Sequence, residues 1–92
     1  MLAAIDERAA RIRELMRLGA WTQLYVPALQ AKQLAMAFDA ATGGERALPV
    51  KRLVRGAWLL DLQGDLGNRP GIEEAYALFA EGVAGLRSAG AP

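Results

Sequence analysis

Neither cysteine nor histidine occurs in this chain of 92 residues. Their absence removes disulfides, thiolate nucleophiles, imidazole acid–base chemistry and the usual zinc sites. No charge sign dominates either. A net charge of +1 gives no global attraction to nucleic acid or to an anionic membrane. No apolar run approaches the ~18 residues that read as a membrane span. Gly43-Gly44 lacks the spacing and the following lysine of a phosphate-binding loop. Thr22, Thr42 and Ser88 are isolated hydroxyls with no base to activate them. The chain therefore reads as a non-enzyme with no cofactor and no bound metal. Near the N-terminus, Asp6, Glu7 and Arg8 put charge where a signal peptide needs its apolar segment, so the expected address is the cytoplasm.

What is present is an apolar fraction of 53%, enough for one small domain over residues 1–92 with a modest core. Its periodicity is helical. Leu2, Ile5, Ala9, Ile12, Met16 and Gly19 form a stripe at spacings of three and four, widened by Leu15 and Leu18. Trp21, Leu24, Ala28, Ala31, Ala35 and Phe38 form another, and Ile72, Tyr76, Phe79, Val83, Leu86 and Gly90 a third. The first helix is expected over 2–18, stopped by Gly19. A second is expected over 20–41, kinked at Pro27 because its stripe crosses the proline in register. The alternative is a short turn from Trp21 leading into a helix that starts at Pro27. Thr42 and Glu45 fit a capping box, but Pro49 competes with that start, and the third helix is placed over 49–63. The fourth is expected over 71–88, with Asn68 and Pro70 as start signals and a frayed tail from Ala89. Short joints make these an all-α, antiparallel bundle of about four helices.

Residues 49–66 are the most unusual stretch. Val50, Leu53, Val54, Ala57, Trp58, Leu60 and Leu62 cover well over half a helical wheel, and Leu59 falls on the remaining side. A surface helix needs an apolar arc little wider than ~100°, so this one must be covered on more than one side. Self-association or an obligate partner is expected. Trp58, Leu59 and Leu62 are the candidate partner face, with Arg52 and Arg55 at its rim. Asp61 projects near Val50 and Val54. Either it reaches water or an arginine at the helix end, or it is a polar specificity point inside an interface. Arg46, Lys51, Arg52 and Arg55 form the main basic cluster. Lys51 and Arg52 sit in the expected first turn, where positive charge opposes the helix dipole.

Two segments resemble small flagellar export chaperones. Gly19-Ala20-Trp21-Thr22-Gln23-Leu24, followed by Leu34 and Phe38, is similar to the hairpin joint of filament-cap chaperones, with Ala20 where an acidic residue usually precedes the tryptophan. The run Phe38-Asp39-Ala40-Ala41-Thr42-Gly43-Gly44-Glu45 resembles the loop between the two long helices of flagellin chaperones. The resemblance implies a helical protein that binds an amphipathic helical segment of an export client. The leading expectation is thus a small chaperone or adaptor using helix-in-groove recognition. The second is a nucleic-acid-binding or regulatory module using the basic cluster 46–55, whose affinity would fall steeply with salt.

Overall fold

The computed structural model describes residues 1–89, and the three apolar stripes and the 49–66 segment become its four α-helices. They are α1 (Leu2–Arg17), α2 (Tyr25–Ala41), α3 (Ala47–Leu66) and α4 (Arg69–Ala89). Each packs beside the next in sequence. The ring between α4 and α1 is closed only lightly. The molecule measures 38 × 19 × 18 Å, so the helices run along its long axis. No helix among the described residues is long and apolar enough to cross a membrane.

Glycine ends three of the helices in the same way. Gly19 (φ +71°), Gly43 (φ +91°) and Gly67 (φ +63°) are all left-handed. After α1, the Gly19 and Ala20 amides donate back to the Met16 and Leu15 carbonyls. After α3, the Gly67 and Asn68 amides do the same to Gly64 and Gln63. These paired bonds satisfy carbonyls that the helix end would otherwise leave bare. The Asn68 carboxamide then faces the Gly71 amide at 3.5 Å as α4 begins.

The second helix divides at a different point from the one the sequence suggests. Trp21–Gln23 form a 3-10 turn, and Leu24, itself helical in φ and ψ, carries the chain into α2 at Tyr25. Pro27 is the third residue of α2, where a missing N–H leaves no intrahelical bond unmade. The stripe stays in register because the chain never leaves right-handed helical space. The third helix is longer than expected at both ends. Pro49 again lies in the first turn, and Gly64 stays inside the helix beneath the Trp21 carbonyl, which a Cβ at Gly64 would approach to 2.5 Å. Thr42 does not form the capping box. Its hydroxyl donates to the Phe38 and Asp39 carbonyls, and the Asp39 carboxylate accepts the Arg46 amide at 2.8 Å just before α3.

The core follows the stripes. Ile5, Ile12 and Leu15 of α1, Leu24 with Ala28, Ala31 and Ala35, Leu53, Ala57 and Leu60 of α3, and Ile72, Ala75, Phe79 and Leu86 of α4 are buried. Leu18, expected to widen the first stripe, is exposed beyond the end of α1. Gly90, the last position of the third stripe, and the tail to Pro92 lie outside the described residues.

The closest pair is α3 with α4. A Cβ on Gly56 would stand 2.5 Å from the Phe79 amide nitrogen, and one on Gly82 2.5 Å from that of Leu53. Each glycine thus admits the backbone of the other helix. Adding a methyl at Gly82 must push the helices apart, at a cost of about 1–3 kcal/mol, outweighing the ~1 kcal/mol gained in helix propensity. Gly82→Ala is therefore expected to lower the urea midpoint; a rise would contradict the backbone contact. Gly67→Ala, with open space around it, should cost about 1–2 kcal/mol through left-handed strain alone.

Candidate interaction face

With α4 seated on the glycine side of α3 and α2 on its flank, the opposite side of α3 is left bare. Trp58 stands there, 67% exposed in mid-helix. Leu62, Arg52 and Arg55 are exposed with it, so four of the five expected partner-face residues are on the surface. Leu59 differs: it is half-buried and packs against the core. The pull of α4 rotates α3 so that the adjacent Trp58, rather than Leu59, faces outward. Asp61 is exposed, so in the single chain its carboxylate meets water.

Trp58 separates two shallow depressions. One, of about 150 Å³, lies over the α2–α3 seam with Tyr25, Leu29, Lys32 and Asp61 on its rim. The other, of about 450 Å³, is bounded by Lys51, Val54, Arg55 and Leu59. Sequence reasoning missed Tyr25 and Leu29, which are 49% and 46% exposed. Their i, i+4 spacing off the main stripe of α2 was the available signal. Leu48 and Leu66, also exposed, extend the apolar surface toward the two ends of α3. Exposed apolar side chains thus recur along the length of α3.

The basic cluster is not one unit. The Arg46 guanidinium lies 5.1 Å from the centre of the Phe38 ring and reaches the Thr42 carbonyl at 3.5 Å, so Arg46 staples the α2–α3 joint. Lys51, Arg52 and Arg55 remain on the outer surface. A grouping that the sequence did not suggest forms elsewhere. Arg13, Arg17 and Arg69 meet around Trp21 beside a cavity of about 290 Å³. Two of these arginines are engaged, Arg17 by Glu14 at 2.6 Å and Arg69 by Glu73 at 3.5 Å. The hydrogen bond from Arg17 lowers the Glu14 carboxyl below its ordinary value. A groove of about 860 Å³ between α1 and the start of α2 is bordered by side chains of both signs, among them Arg11 and Glu14. Among the described residues, no three carboxylates gather where they could hold a metal ion together.

Along the α1–α4 seam, Arg87 pairs with Asp6, and the Tyr76 hydroxyl lies 3.5 Å from the Ala9 carbonyl. Burial raises the Tyr76 phenol above its ordinary value, against a smaller lowering by Arg13.

No family model matches the chain, and neither a curated protein nor a solved structure shows significant similarity to it.

Two expectations follow. Arg46→Ala should lower stability by about 1 kcal/mol in urea unfolding and leave partner binding unchanged; the reverse pattern would put Arg46 in the site. Because the folded state raises the Tyr76 pKa, the associated stability is complete below the unfolded value of ~10. It declines as pH rises through the folded value. Tyr76→Phe should therefore flatten the alkaline fall in stability above pH ~10.

Proposed function

We propose that the chain is a small non-enzymatic protein-binding module, a chaperone or adaptor, that takes an amphipathic helical segment of a partner on the outer face of α3. The observation that carries this reading is Trp58, two-thirds exposed between two depressions and continued by Leu62 along the helix. A partner helix with apolar residues at i, i+3, i+4 and i+7 has the complementary form. Each large apolar side chain fully covered contributes about 1.5–3 kcal/mol. Arg52 and Arg55 at the rim favour a partner segment with acidic residues beside its apolar stripe. The resemblance of residues 19–24 and 38–45 to flagellar export chaperones supports a cytoplasmic role with an export client. The alternative, a nucleic-acid-binding or regulatory module, retains Lys51, Arg52 and Arg55 but loses Arg46 to the joint.

A photo-crosslinking residue in place of Leu62, followed by mass spectrometry of the captured peptide, tests the reading. The captured segment should carry apolar residues at helical spacing. Trp58→Ala should weaken its binding ~30-fold, the effect of losing about 2 kcal/mol at a hot spot. Capture of nucleic acid instead, with steep salt dependence and no effect of Trp58→Ala, would replace it with the alternative.

A further inference from the structure

The exposed face of α3 has a charge order that makes it complementary to itself. Its N-terminal half carries Lys51, Arg52 and Arg55 and no acid; its C-terminal half carries Asp61 and Asp65 and no base. Trp58 marks the change of sign. Arg55 and Asp61 stand three residues to either side of it, and Lys51 and Asp65 seven. Seven residues are nearly two full turns, so Lys51, Trp58 and Asp65 share one line along the helix. Val54 and Leu62 flank the same centre at four residues on either side. Lys51, Arg55, Asp61 and Asp65 are all exposed, and none is in an ion pair among the described residues.

We propose that a second copy of this chain docks on this face, with the two α3 helices antiparallel about a two-fold axis at Trp58. The proposal rests on the same reading of the α3 face as a helix-binding surface, and it names the occupant when no client is bound. In an antiparallel pair, positions equidistant from the axis meet, and each contact occurs twice. Lys51 of each copy then lies beside Asp65 of the other, and Arg55 extends toward Asp61. Val54 meets Leu62, and the two Trp58 side chains pack together on the axis. Tyr25 and Leu29, which border Trp58 from α2, widen the apolar contact. A parallel arrangement would set Lys51 against Lys51 and Asp65 against Asp65, which like-charge repulsion disfavours. An interface of standard size takes ~800 Å² from each partner, a modest share of the 5388 Å² surface of this chain. A client helix would then compete with the second copy for Trp58.

Sedimentation equilibrium of the full chain at tens of micromolar tests the proposal. The wild type is expected to be a dimer. Lys51→Glu and Asp65→Lys should each weaken it roughly tenfold or more, because each sets like charges together twice. An equimolar mixture of the two variants should regain wild-type association, since each copy supplies the sign that the other lacks. Circular dichroism checks that both keep their helicity, and Arg55→Glu with Asp61→Arg is the second pair should either variant unfold. A monomeric wild type, a dimer indifferent to both substitutions, or a mixture no tighter than its components overturns the proposal. A monomeric wild type that still crosslinks from Leu62 to a foreign apolar helix overturns the second copy and spares the client. A dimer that behaves as expected while no foreign helix is captured supports the second copy and removes the client.

Discussion

Everything on the outer face depends on the contact between the α3 and α4 backbones. Gly56 admits the backbone of α4 at Phe79, and Gly82 admits that of α3 at Leu53. With side chains at those two positions the helices would stand apart; the glycines let them close. They hold Leu53 and Leu60 in the core and leave Trp58 on the opposite side. The exposure of a tryptophan is thus a consequence of packing two glycines well.

A helix with apolar residues nearly all round satisfies only one side within its own bundle. Here the inner side is satisfied by α4 and the flank by α2. The outer side keeps an aromatic ridge whose ends carry opposite charges. Charge at the edge of an apolar contact contributes little to affinity when exposed to water. It contributes more to choosing orientation and excluding wrong partners. In the proposed pairing the leucines and Trp58 of α3 supply the attraction, while the lysine, arginines and aspartates decide what lies against them and in which direction.

The helices themselves were legible because their stripes are regular. Ile5, Ile12, Ala28, Ala31, Ala35, Ile72, Phe79 and Leu86 are buried as their spacing requires. The ends were less legible. Pro27 and Pro49 were read as breaks or starts, yet each lies at the third position of its helix, where proline costs no hydrogen bond. Glycines within α3 and α4 advertised a close contact, but a sequence does not say which helix fills the gap. For that reason Leu59 and Trp58 could not be told apart: which of two neighbours turns outward depends on where α4 sits. Arg46 was grouped with Lys51 and Arg52 by proximity along the chain, whereas the ring of Phe38, reached across the joint, claims it. Tyr25 and Leu29 join Trp58 only once α2 lies against α3.

The two-residue joint at Gly67-Asn68 also sets the order in which the bundle can assemble. Closing so short a connection costs little chain entropy, and its reward is the closest helix pair in the molecule. The α3–α4 hairpin is thus the natural folding nucleus, rich in contacts local in sequence. The first helix occupies the other extreme. Its light contact with α4, through Asp6–Arg87 and Tyr76–Ala9, joins segments far apart in the chain. Its contact with α2 is made across a short joint of its own, so only the seam to α4 has to be closed over the whole length of the chain.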